Sequence, residues 1–316
     1  MKMNRTTARD EWRVTSDGKA ARGRTVFSRH LSPVTRHIPG FTLVELMVVM
    51  VLLSLIVLAL MAVFNSTQTA FRAGVTQTDV LESGRATMDL MASDVRIMAP
   101  SLGVSNGAVN FCAYTNGSPP LVQKLVASSQ QRMNVLEKFF VLSRNNVNGQ
   151  DIWTGTGYVV DTGSTDSIWP LYRFSASTNA GAADPAVLFT GFINAPIAGM
   201  SHLMDGVVNL TVRAYDLNGM PMTANIIYSG GQFVTNRNVV YFATASGETG
   251  FEMFSNTLPA SVQIEMGVLE DRTLQRAESL SASPAAQLNY LSGAAGAVHI
   301  FRQRVSIPNI DPSPYQ

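Results

Sequence analysis

Residues 39–64 read PGFTLVELMVVMVLLSLIVLALMAVF, and Glu45 is the only charge between Phe41 and Phe64. From Leu46 to Phe64 every residue is uncharged and almost every one is apolar. At about 1.5 Å per residue, positions 41–64 cover about 36 Å as a helix, enough to cross a bilayer core of about 30 Å. A buried helix of a soluble domain seldom runs this far without a polar face. The stretch reads as a transmembrane helix with a carboxylate at its edge. Inside a membrane such a group costs about 2.5–3.5 kcal/mol on insertion scales and is normally paired.

Charge is divided around this segment. Residues 1–40 hold nine Lys/Arg against Asp10, Glu11 and Asp17, a net of +6, whereas the other 276 residues carry 14 basic and 19 acidic groups. A basic stretch before the first apolar segment stays on the cytoplasmic side, so the rest of the chain is expected outside the cytoplasm. A nucleic-acid partner for the basic arm fits poorly, because a membrane segment follows it at once.

The apolar run is longer than that of a secretory signal, and NSTQTAFRAG after it has no convincing small-x-small cleavage site. The small residue that invites cleavage, Gly40, precedes the run. A cut there removes the basic arm and makes Phe41 residue one, with a charged amine one helical turn from Glu45. That amine is a partner for the carboxylate within one chain, and more usefully between neighbouring subunits. A mismatched neighbour would leave both charges unpaired in low dielectric, so the pair would set axial register in a helix bundle. In a plain anchor, Glu45 would simply lie at the headgroup level.

Gly40-Phe41-Thr42-Leu43-Val44-Glu45 resembles the prepilin motif of type IV pilins and type II secretion pseudopilins at every defining position. The resemblance implies cleavage after Gly40 by a membrane prepilin peptidase, N-methylation of Phe41, and packing of the helix with other pilin-like subunits in a filament core. It also implies extraction from the inner membrane by an assembly platform, with the C-terminal domain periplasmic. A 40-residue leader is longer than in most of the family.

Beyond the membrane segment, Val80, Leu81, Met88, Met91, Val95 and Met98 form an apolar stripe at helical spacing. Glu82 and Arg85 are placed to pair across one turn, and Ala99-Pro100 ends the pattern. One helix over 41–98 is expected, its second half laid against a sheet. Strands are expected at Asn134–Ser143, Trp169–Phe174, Val207–Tyr215, Val239–Ala243, Val262–Val268 and Val298–Ile307, with a short helix over 270–280. YTNGSPP, NNVNGQD, DTGSTDS and DLNGMP read as loops. The expected class is α+β: a cleaved leader (1–40), a transmembrane helix (41–64), an amphipathic stem (65–99) and a β-rich antiparallel domain (100–316). Leu258-Pro259 with the strand after it, and the late VHIFRQRV, are similar to the ends of J-type minor pseudopilins; PilW-like minor pilins are the close competitor.

Little in the exposed part suggests catalysis. Asp161-Thr162-Gly163 is the triplet of aspartic proteases, but that chemistry needs two carboxylates sharing a proton and the chain has no second such triplet. His30 and His37 lie in the leader, and His202 and His299 have no neighbours at metal-ligand spacing. Cys112, the single cysteine, excludes an intrachain disulfide and reads as a buried strand residue. The loops Asp216–Gly219 and Asp161–Asp166 offer oxygen ligands, and some pseudopilins bind calcium, yet neither has EF-hand spacing. No cofactor and no enzymatic activity are expected. The reading is a minor subunit acting in initiation or at a tip; a signal-anchored exported binding protein or enzyme is the alternative.

Overall fold

The computed structural model describes residues 40–102, 107–115, 120–125, 130–163, 168–181, 184–222, 226–229, 231–243 and 247–315. The leader, with His30 and His37, and the second half of the DTGSTDS loop lie outside them. The chain divides into two units, Met1–Met61 and Ala62–Gln316. In the first, residues 43–61 are helical with every side chain exposed. They open the 54-residue helix α1 (Leu43–Arg96), the one helix of the described residues long and apolar enough to cross a membrane.

In the second unit α1 stops two residues short of the expected end. Ala99 N–H donates to Leu142 C=O at 2.9 Å and Pro100 follows, so the chain leaves the helix by joining a strand. Most of the stripe is as expected: Met88, Met91, Val95 and Met98 are buried and Val80 packs against the same cluster, whereas Leu81 is half-buried and outside it. Glu82 and Arg85 are exposed, and no ion pair of the described residues joins them.

The β-rich part begins with β1 (Val109–Thr115), β2 (Leu121–Lys124), β3 (Gln131–Asn134), β4 (Glu137–Val147), β5 (Gln150–Val160) and β6 (Leu171–Asn179). Helix α2 (Ala186–Asn194) then precedes β7 (Ser201–Met204), β8 (Val207–Tyr215), β9 (Ile226–Ser229), β10 (Gln232–Thr235), β11 (Val239–Ala243) and β12 (Thr249–Phe254). The chain closes with β13 (Ser261–Leu269), α3 (Asp271–Glu278), α4 (Pro284–Gly293) and β14 (Val298–Ser306). The larger sheet has the order β11-β12-β1-β4-β5-β6-β7, and a three-stranded sheet has the order β14-β13-β8. Every pairing in both is antiparallel. The α+β class expected from the sequence is the class observed.

The main core brings the stripe of α1 together with Phe111, Phe139 and Tyr158 of the larger sheet and Leu210, Ile264 and Val305 of the smaller one. On the opposite side of the larger sheet, α2 packs Leu188 and Phe192 on Cys112, Phe140 and Leu142. Both faces of β4 are therefore covered, so Phe139 to Ser143 are buried without alternation. A third cluster places Ala277 of α3 and Leu291 of α4 against Val208 and Leu269.

Several strands differ from expectation. The run 134–143 is two strands: Asn134 ends β3 and donates from Nδ2 to Gln123 Oε1 at 3.0 Å, while Glu137 starts β4. NNVNGQD is no open loop but the tip of the β4–β5 hairpin. Asn148 and Gly149, at φ 54° and 81°, form its two-residue turn between the paired Val147 and Gln150. In β5, a Cβ on Gly157 would stand 2.3 Å from Phe192 Cδ2, and one on Gly155 2.9 Å from Leu188 Cβ. Those glycines let α2 lie close on the sheet. Where the pattern alternates, the faces are as read: Val262, Ile264, Met266 and Val268 are buried, with Gln263 and Glu265 between them half-buried.

Candidate processing and assembly site

The start of α1 is built by two reciprocal bonds. Thr42 stands before the first helical residue, and its Oγ1 accepts from Glu45 N–H at 3.3 Å. Glu45 Oε2 accepts in return from Thr42 N–H at 2.9 Å and from Thr42 Oγ1 at 2.9 Å. Thr42 C=O takes the first intrahelical bond, from Leu46 N–H at 3.2 Å. This is a capping box, T-x-x-E, which satisfies two backbone donors that a helix start otherwise leaves open. Glu45 thus has a role inside its own helix that the register argument did not include. The spacing of Thr42 and Glu45 carried that signal in the sequence.

Gly40 and Phe41 lie just outside the helix. Phe41 is 84% exposed, so the fold does not bury its ring. A Cβ added to Gly40 would meet no atom within 4 Å, so packing gives no reason for a glycine here. The polar Ser54 within the apolar run is internally satisfied, its Oγ donating to Val51 C=O at 2.9 Å.

Other residues singled out from the sequence occupy ordinary structural positions. Asp161 Oδ1 accepts from Gly163 N–H at 2.8 Å, an Asx turn. Asp216 Oδ1 accepts from Asn218 N–H at 2.9 Å and Met220 N–H at 2.8 Å, with Gly219 at φ 75° completing the turn. His202 Nε2 lies 3.0 Å from Asp205 Oδ1, and His299 Nε2 lies 3.5 Å from Glu270 Oε1. No group of three His, Cys, Asp or Glu suited to a metal occurs among the described residues. Cys112 is fully buried in β1, and burial pushes its thiol well up from the usual range, so it is a poor nucleophile.

Two clusters went unread in the sequence because their members are far apart along it. Asp94 Oδ2 accepts from Tyr158 Oη and, at 2.9 Å, from Arg173 Nε. Burial, then the bond to Asp94, raises the Tyr158 phenol above its ordinary range. Glu137 accepts from Val212 N–H beside a cavity of about 300 Å³. Burial pushes its carboxyl up to about 7, against the lowering effects of that bond and of Arg213.

Residues 36–61 match the family model described as the prokaryotic N-terminal methylation motif. The chain carries a prepilin-type N-terminus. The match holds the cleavage candidate, the capping box and most of the apolar helix, and leaves the domain beyond residue 61 outside it. No curated protein and no solved structure matches the chain at a significant level. The prepilin-type N-terminus together with the apolar helix marks a pilin-like membrane anchor. The motif implies processing by a prepilin peptidase and assembly with other pilin subunits, and it suggests a structural role.

Proposed function

We propose that the protein is a minor subunit of a pilin-like filament, a type II secretion pseudopilus or a type IV pilus, acting in initiation or at the tip. The observation that carries this reading is the methylation motif at 36–61 running into an apolar helix whose side chains are all exposed over residues 43–61. In this scheme the leader holds the N-terminus cytoplasmic and the single helix stores the subunit in the inner membrane. Cleavage after Gly40 frees the Phe41 amine, which is then methylated. An assembly platform extracts the helix, and Glu45 sets register against the Phe41 amine of a neighbour. A β-rich part of more than 200 residues is large for a major subunit, which supports the J-type or PilW-like minor class. Burial of the α1 stripe among the strands of the second unit supports a stem rather than a free linker.

The capping box shapes this mechanism. Before assembly, Glu45 has donors of its own chain for one carboxylate oxygen, which softens the cost of holding it at the membrane edge. Its Oε1 is left to take an amine from outside. The test is the intact mass of the protein from native membranes, with fragmentation of its N-terminus. A chain beginning at methylated Phe41 is expected. A chain that keeps residues 1–40 in cells with an active prepilin peptidase would reduce the motif to a plain anchor.

A further inference from the structure

Glu137 opens β4 on the side of the larger sheet that faces the main core, and it is half-buried. Its Oε2 is pinned by Val212 N–H, on the side of β8 away from its one sheet partner, β13. No donor reaches Oε1 among the described residues, and none of their ion pairs includes Glu137. The adjoining cavity, about 300 Å³, is walled mainly by carbon, including Ala113, Val212, Met222 and Phe251. Its other titratable or charged lining groups are Arg213 of β8 and Tyr241 of β11; the lining residues of β1 and β12 carry none. A fixed carboxylate at an apolar cavity, with no cation in contact, is an incomplete pair.

We propose that this cavity binds a primary ammonium on a short apolar stem, the ammonium against Glu137 Oε1 and the stem against Met222 and Phe251. The site does not depend on the filament reading. Arg213 is exposed and lines the same cavity, so a doubly charged cation is disfavoured over a single ammonium with a carbon tail. Only the ionised carboxylate completes the pair, and with Glu137 titrating at about 7 binding expels a proton near neutrality. Affinity is therefore expected to rise roughly ten-fold from pH 6 to pH 8. The ammonium itself stays charged throughout, at a pKa of about 10.4 for a lysine-like amine.

The experiment titrates n-butylammonium into the detergent-solubilised full chain carrying methyl-labelled methionine, following the Met222 signal by NMR. Saturable binding is expected, roughly ten-fold tighter at pH 8 than at pH 6, with little response to the uncharged n-butanol. Glu137→Gln keeps an acceptor for Val212 N–H, so the edge of β8 stays covered, yet it should weaken binding at pH 8 at least ten-fold. Ala113→Val narrows the cavity with Glu137 in place and should weaken binding as well, which covers a failure of the first variant to fold. Equal binding of Nα-acetyl-lysine amide would assign the ammonium to a lysine side chain of a partner; binding of n-butylammonium alone would assign it to a free amine, and either supports the site. No saturable shift at pH 8, equal affinity for n-butanol, or unchanged binding in Glu137→Gln with the fold intact would each overturn it.

Discussion

Arg173 Nη2 lies 2.9 Å from Asp94 Oδ2, tying β6 to α1 across Tyr158 of β5. One carboxylate oxygen takes the guanidinium and the phenol together, and the side chains of Asp94 and Arg173 are only 12% and 24% exposed. Removing the acceptor leaves a cation and a hydroxyl facing each other with little water. Asp94→Ala is expected to cost about 2–4 kcal/mol, near the low end for a broken buried pair because Arg173 keeps some solvent. Urea unfolding of the solubilised full chain, followed by tryptophan fluorescence, measures it. A loss below about 0.5 kcal/mol would mean that the helix is held by its methionine stripe alone.

Two glycines of α1 should respond oppositely to the same substitution. A Cβ on Gly74 would meet nothing within 4 Å, whereas one on Gly84 would stand 2.4 Å from Phe301 Cζ. Gly74→Ala is expected to stabilise the helix by up to about 1 kcal/mol. Gly84→Ala is expected to lose about 1–3 kcal/mol by pushing Phe301 off the helix, and Phe301→Leu in the same chain should recover part of that loss. Unfolding midpoints of the three variants decide it; stabilisation by Gly84→Ala would mean that the ring swings away freely.

These packing details mark where the sequence stopped being legible. Several elements were readable: β8 and β11 fall on the expected residues, β13 and β14 within one residue at each end, and most of the α1 stripe on the expected face. The break between β3 and β4 inside the run 134–143 was not, because Phe139 to Ser143 are buried without a break and give no alternation from which to place it. Strand β5 was missed for another reason. Its Thr-Gly-Thr-Gly run looks like loop chemistry until α2 is seen lying on those glycines. The Asn148-Gly149 turn does have its hairpin signal in the sequence, an Asn-Gly pair between two extended runs. At the N-terminus, the spacing of Thr42 and Glu45 held the cap as well as the motif. Glu137, by contrast, acquires its environment only when Val212, 75 residues away, reaches it.

Stability should report on Glu137 without any ligand. The folded protein holds this proton up to about pH 7, while the ordinary carboxyl releases it near 4.5. The folded state then binds more protons than the unfolded one between those values. The stabilising term is full below pH 4.5 and lost as pH rises through 7. Glu137→Gln has no proton to lose, so its stability relative to the unmodified chain should grow on the order of 2 kcal/mol from pH 5 to pH 8. Urea unfolding at the two values gives the comparison, in which groups common to both chains cancel. A difference independent of pH would place Glu137 in full contact with water.

Gly40 offers a test of processing that is separate from folding. A Cβ added there would meet no atom within 4 Å, so Gly40→Asp should leave helix content and membrane insertion unchanged. The expected outcome is an uncleaved precursor, seen as a larger band by immunoblot of membranes beside the normally processed chain. Normal processing of this variant would move the cleavage site elsewhere.

Glu45 carries two roles that Gln and Ala separate. A capping box accepts Gln in the third helical position as well as Glu, so Glu45→Gln should keep the bond to Thr42 N–H and with it the helix start. It removes the charge that a neighbour's Phe41 amine would seek. Glu45→Ala removes both, and loss of a cap costs about 0.5–2 kcal/mol of helix stability. If register depends on the charge, both variants should insert and be cleaved after Gly40, yet both should fall several-fold in sheared filament fractions relative to membrane-bound protein. If Glu45 only caps its own helix, Glu45→Gln should assemble like the unmodified chain while Glu45→Ala alone is impaired. Quantitative immunoblots of filament and membrane fractions from the three strains distinguish these outcomes, and normal assembly of Glu45→Gln would leave the carboxylate with Thr42 as its only partner.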